Sequence, residues 1–167
     1  MSDTGNSSQI ELCEEDVGYL MIRLRKAEYC DKDLLFEWAN DPAVRAFSFN
    51  TNPISYDVHS EWFDRMMNDE TIIQFILMDG DMPIGQIRLN INGDEAEIGY
   101  SIDSHYRGKG YGHEILRLVE ETVQEEYPKI ERLIAKVKPE NIASKRLFES
   151  AGYDMKYACF EMKIGGV

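Results

Sequence analysis

The chain has 167 residues, 43% of them hydrophobic and 29% charged, with a formal net charge of −13; this is the size of one domain that can bury a core, and its acidity counts against nucleic acid, whose phosphates need basic patches. No run approaches the roughly 18 apolar residues of a membrane helix, and the opening MSDTGNSSQIELCEED lacks the basic start and apolar stretch of a signal peptide, so a cytoplasmic protein with no membrane partner is expected. Cys13, Cys30 and Cys159 stand far apart with no CxxC pair, and the histidines form no ligand pattern, which predicts neither a disulfide framework nor a metal site.

Residues 1–20, rich in Ser, Asn, Asp and Glu, read as a poorly ordered extension, and residues 21–167 as a single domain. From Met21, Ile22 and Leu24 alternate with Arg23 and Arg25 as in a half-buried strand. Asp31 is placed to cap a helix whose apolar stripe is Leu34, Leu35 and Trp38, and Pro42 marks its end or a bend. A second helix is predicted over 56–67, with Trp62, Phe63 and Met66 on one side. Three strands follow at 71–78, 83–90 and 95–102, separated by DGDM and NGDE, whose Asp-Gly and Asn-Gly pairs favour tight hairpins. After a glycine-rich stretch comes a helix carrying Tyr111, Ile115, Leu118, Val119 and Thr122 on one face and stopped by Pro128. IERLIAKVK reads as a strand, NIASKRLFESAGY as a helix capped by Asn141 and ended by Gly152, and about 157–164 as a last strand. The order β-α-α-β-β-β-α-β-α-β predicts an α+β domain with a mixed, mostly antiparallel sheet flanked by helices.

SHYRGKGYGHEI, residues 104–115, removes three Cβ atoms in five residues at Gly108, Gly110 and Gly112, beside Arg107 and Lys109. Glycines there permit positive φ and expose the N–H groups that head the next helix, a place suited to an anion. A dinucleotide fingerprint starting at Gly110 would need Gly or Ala where Ile115 stands, and a P-loop would need Gly-Lys-Ser/Thr after four residues; neither is present. Arg107-x-x-Gly110-x-Gly112 between a strand and a helix does match the pattern Arg/Gln-x-x-Gly-x-Gly/Ala. With ENIASKRLFESAGY one strand-helix unit later, the chain resembles the GNAT superfamily of acetyl-CoA-dependent N-acetyltransferases from about Met21 onward.

The resemblance implies acetyl-CoA as donor, held by the loop Arg107, Gly108, Lys109, Gly110, Tyr111 and Gly112, by main-chain N–H groups near Ile102, and by Asn141 with Ser144 on the pantetheine arm. It also implies an acidic base on the strand of Glu97, because an alkyl amine must lose a proton before it attacks. Where the family often carries a tyrosine as general acid, Leu147 is followed by Phe148, which has no proton to give. Tyr153, Tyr100 and Ser144 remain as donors, or the thiolate leaves unassisted and takes a proton from water.

LLFEWANDPAVRAFSFNTNPISYDVHSEWF resembles the acceptor segment of N-acetyltransferases that act on nucleotide-linked 4-amino sugars in pseudaminic acid synthesis, and less specifically that of ribosomal-protein alanine N-acetyltransferases. Trp38, Asn40 and Pro42, with His59 and Trp62, carry the likeness. Arg45 and His59 could meet a diphosphate and Trp62 could stack on a base. A small-molecule amine acceptor is expected, and a homodimer is compatible with the sequence. Phe148 keeps open a second class, a CoA-binding domain without turnover.

Overall fold

The structure is a computed structural model that describes residues 22–156; the expected extension over 1–20 and the expected last strand over about 157–164 lie outside the described residues. Its elements are β1 (Ile22–Lys26), α1 (Lys32–Ala39), α2 (Pro42–Phe47), α3 (Tyr56–Met66), β2 (Ile72–Asp79), β3 (Met82–Asn92), β4 (Glu95–Ile102), α4 (Tyr111–Glu126), β5 (Arg132–Ala135) and α5 (Ile142–Ser150). The strands form one sheet in sequence order, antiparallel as far as β4 and parallel between β4 and β5. This is the mixed α+β sheet the sequence predicts.

The hairpins are tight for the expected reason. Asp79 pairs with Met82 and Asn92 with Glu95, so each loop is two residues long. Its first residue is a glycine with positive φ, 58° at Gly80 and 65° at Gly93, where a Cβ would be strained. Pro83, which has no N–H to give the ladder, lies where the β2–β3 register slips between Leu77 and Met78.

Alternation along the strands gives the sheet two unlike faces. On one, Phe75, Leu77, Ile87, Leu89, Ala96 and Ile98 pack against Ile115, Leu116, Val119 and Val123 of α4 and Phe148 of α5. On the other, Leu35 and Trp38 of α1 with Phe63 and Met66 of α3 cover Ile76 and Met78 of β2. That second apolar cover stops at β2. Beyond it, β3 and β4 present Gln86, Arg88 and Asn90 opposite Ser101, Gly99 and Glu97.

Two elements depart from expectation. Pro42 does more than end a helix: it opens α2, because the Asp41 carboxylate accepts the N–H groups of Ala43 and Val44 at 2.9 and 3.1 Å. Proline at the first helical position gives up no N–H the helix needs. The strand expected through Lys138 ends at Ala135, because pairing with β4 stops at Ile98↔Ala135. Both segments run on past that point, and a gap opens between them.

Candidate active site

Where β4 and β5 part, a cleft of about 800 Å³ opens, lined by residues 98–102 on one side, Ala135–Lys138 on the other, the glycine loop, α2 and the start of α5. Asp103 donates its N–H to the Ile84 carbonyl on the β3 side. By strand alternation the N–H groups of Ile102 and Tyr100 therefore point the other way, into the gap that β5 has left. Unpaired strand N–H groups of this kind suit the amides of an extended arm such as pantetheine.

At the loop end of the cleft, Gly108 and Gly110 take φ of 75° and 88°. A Cβ on either would meet nothing within 4 Å, so the space above them is open. Gly110 is the N-cap of α4. The first helical bonds run from His113 and Glu114 to the Gly110 carbonyl, so the N–H groups of Tyr111 and Gly112 head the helix without an intrahelical partner. Gly112 has a different reason to be glycine: a Cβ there would lie 3.0 Å from the Leu147 Cδ2, and its absence lets α5 sit close to α4.

The expected cationic side chains have contacts within the chain. Arg107 lines the cleft, but its Nε donates to the Ile102 carbonyl at 2.9 Å and its guanidinium pairs with Asp41 at 2.9 Å, tying the loop to α2. Burial raises the Asp41 carboxyl pKa, but the Arg107 hydrogen bond and the Val44 N–H outweigh it, and the group sits below its ordinary range. Lys109 is exposed, with its ammonium 5.1 Å from the Tyr106 ring centre, and does not line the cleft.

Asn141 and Ser144 both line it; the Asn141 carbonyl oxygen caps α5 by accepting the Ser144 N–H at 3.1 Å. The Ser144 hydroxyl lies 3.3 Å from the Tyr100 hydroxyl, and Tyr100 lines the cleft too. Burial raises the Tyr100 pKa, so the phenol stays protonated. Phe148 fills the space between the rings of Tyr100 and Tyr153, at 5.8 and 5.1 Å. Of the three proton donors left open by the sequence, the structure thus brings Tyr100 and Ser144 to the cleft and leaves Tyr153 behind Phe148. The Tyr153 hydroxyl is buried without a hydrogen-bond partner, and burial with the Glu120 charge pushes its pKa up.

The expected acceptor residues mostly face inward. Trp38 is 6% exposed and donates its indole N–H to Asp103 at 2.8 Å. Asn40 holds Ile54 through both its carbonyl and its N–H at 2.8 and 3.1 Å. Arg45 donates to the Asn50 carbonyl and to Ser48, bracing the loop after α2. His59 is 2% exposed, its Nε2 2.9 Å from the Lys32 carbonyl, and burial lowers its pKa. All four are engaged in hydrogen bonds within the chain, and none lines the cleft. The motif that they form is real, but short polar side chains beside turns serve structure as readily as substrate.

Glu97 is 40% exposed and ion-paired with Lys136 at 2.6 Å. It shares its face with Gly99 and Ser101, which do line the cleft, though it does not itself reach it. Residues that sequence reasoning missed lie on the same face. Gln74, 5% exposed, donates to Gln86 at 2.6 Å, and Gln86 donates to the Ser101 hydroxyl at 3.0 Å, a bond that leaves the Ser101 O–H unused. Arg88, opposite Gly99, has its guanidinium carbon 5.4 Å from the Trp62 ring centre.

No group of three or more acidic, His or Cys side chains that could hold a metal occurs among the described residues, and no helix among them is long and apolar enough to cross a membrane. The model of the Acetyltransferase (GNAT) domain matches residues 21–154. The uncharacterised N-acetyltransferase p20 of Bacillus licheniformis is 29% identical over 143 residues, 79% of this chain and 78% of that protein. The uncharacterised N-acetyltransferase YfmK of Bacillus subtilis is 25% identical over 96 residues, 58% of this chain but only 64% of that protein's length. Among solved structures, spermidine N-acetyltransferase from Vibrio cholerae, in complex with CoA and spermine, superposes with a TM-score of 0.75 at 22% identity and covers 88% of this chain and 89% of that one, a likeness of fold. With its domain model spanning the sheet, the glycine loop and α5, the chain belongs to the GNAT family of acetyl-CoA-dependent N-acetyltransferases.

Proposed function

We propose that this protein transfers the acetyl group of acetyl-CoA to the primary amine of a small molecule that approaches across the open half of the sheet face bearing Glu97, Gly99 and Ser101. The observation that carries the reading is the gap between β4 and β5, bordered by strand N–H groups at one end and by the unpaired start of α4 at the other. A CoA thioester supplies an acyl group bonded to a fair leaving group. The rest is the chain's work. The Tyr111 and Gly112 N–H groups receive the pyrophosphate, the Ile102 and Tyr100 N–H groups hold the arm and polarise the thioester carbonyl, and Glu97 takes the amine proton through water.

Tyr100, hydrogen-bonded to Ser144, replaces Tyr153 as the group that protonates the departing thiolate. Because a thiolate leaves without much help, Tyr100→Phe should lower turnover by about tenfold, below the usual general-acid range, while Tyr153→Phe changes it little. Equal effects of the two substitutions on thiol release, at unchanged KM for acetyl-CoA, would remove Tyr100 from this role.

The reading is tested by free thiol release from acetyl-CoA with a panel of amines. No thiol release with any amine of the panel, at any pH, leaves only a CoA-binding domain. Of the narrower acceptors, an amine on a nucleotide-linked sugar retains one of its expected contacts, Trp62, since Arg45 and His59 are held within the chain. Failure of UDP to compete with the acceptor in the same assay removes that one.

A further inference from the structure

We infer that Arg88 is an acceptor-binding residue, and that the amine acetylated here carries an oxyanion, a carboxylate or a phosphate, which Arg88 receives beside Gly99. The inference rests on the transferase reading above and narrows its substrate.

Arg88 sits near the middle of β3, paired across to Gly99 of β4 and to Gln74 of β2. Its Nε is buried and has no hydrogen-bond partner, and among the described residues the guanidinium has no ion-pair partner either. A shielded donor without an acceptor is uncommon in a folded protein, and a charged one more so. The carboxylate nearest in the sheet, Glu97, acts on Arg88 electrostatically but is itself paired with Lys136 at 2.6 Å.

The surroundings give that anion room and orientation. A Cβ at Gly99 would meet nothing within 4 Å, so the position facing Arg88 across the strands is open, and Gly99 itself lines the cleft. The Trp62 ring centre lies 5.4 Å from the guanidinium carbon, on one side of the group, which leaves the terminal N–H groups for an oxyanion. Ser101, next on the same face, accepts from Gln86 and keeps its own O–H to give. An amine bonded to an oxyanion-bearing carbon chain can therefore be anchored at Arg88 and extend over Gly99 into the cleft. A polyamine would meet Arg88 with like charge.

The test compares Arg88→Met, which keeps length and packing on Trp62, and Arg88→Lys with the parent. Thiol release from acetyl-CoA is measured with phosphoethanolamine against ethanolamine, β-alanine against β-alaninamide, and with spermidine, each rate referred to the unprotonated amine. In the parent, the oxyanion member of at least one pair should have a kcat/KM higher by about tenfold or more, as a charged hydrogen bond gives. The larger ratio tells carboxylate from phosphate. Arg88→Met should bring that ratio to near one, Arg88→Lys should keep part of it, and the KM for acetyl-CoA should not move. Ratios near one in the parent, ratios that survive in Arg88→Met, or spermidine as the best acceptor would overturn the inference. If no amine releases thiol, the transferase reading fails by itself, and the anion site is read from tryptophan fluorescence with CoA present. A saturable change on titrating β-alanine or inorganic phosphate, lost in Arg88→Met, supports it; no change overturns it.

Discussion

Replacing Gly110 by valine is expected to weaken acetyl-CoA binding by at least about a hundredfold in titration calorimetry, with the protein still folded. Gly110 caps α4 with φ of 88°. A residue with a Cβ pays about 1–3 kcal/mol to hold that conformation, and a β-branched one is disfavoured further. If the loop keeps its shape, the valine side chain enters the empty space above Gly110, where nothing lies within 4 Å, and that is the path by which a diphosphate would approach the Tyr111 and Gly112 N–H groups. If the loop gives way instead, φ turns negative and those N–H groups no longer converge. Either route loses the anion. Lys109→Ala is the control: its ammonium lies over the Tyr106 ring and Lys109 does not line the cleft, so affinity should change by less than about threefold. Unchanged binding in a folded Gly110→Val protein would move the diphosphate away from α4.

The parts of this arrangement that the backbone dictates were legible in the sequence. Period-two alternation and glycines at two-residue turns give β2, β3 and β4 almost to the residue, and a run of glycines before an amphipathic helix gives the positive-φ loop that heads α4. What alternation cannot say is which polar positions face water. Arg88 in PIGQIRLN reads as an outward arginine on a solvent face, and only the register to Gly99 and the cover of Trp62 reveal it as a shielded cation. Gly112 shows the same limit from the other side, since its reason is Leu147, a residue on α5. Asn40, Arg45 and His59 look like ligands because they are polar and close in sequence, yet each bonds to main-chain atoms, Asn40 to Ile54, Arg45 to Asn50 and His59 to Lys32 at the start of α1. The end of β5 was out of reach for a related reason: IERLIAKVK alternates through Val137, but the partner strand diverges after Ile98.

Glu97→Gln should lower turnover at neutral pH by about a hundredfold, the low end of what general acid-base catalysis contributes, and should leave acetyl-CoA affinity nearly unchanged. Glutamine keeps the size and hydrogen-bonding reach of the side chain, so what it removes is the ability to accept a proton. The low end is expected because Glu97 stands two residues from Gly99 on the same face, about 7 Å along the strand, which requires a water to carry the proton. Affinity for the donor should hold because Glu97 does not line the cleft. The ion pair with Lys136 gives the carboxylate a fixed place 2.6 Å from a cation, close enough to orient it and, at 40% exposure, open enough for that water to exchange. The effect must also depend on pH in one direction. Below the amine's own pKa, about 10.4 for an alkyl amine, most acceptor is protonated and the base matters; above it the free amine attacks unaided, so the parent and the variant converge. Parallel pH–rate profiles, with the same deficit at pH 7 and pH 10.5, would mean that Glu97 shapes the site without taking the proton, and no deficit at either would free it from the mechanism altogether.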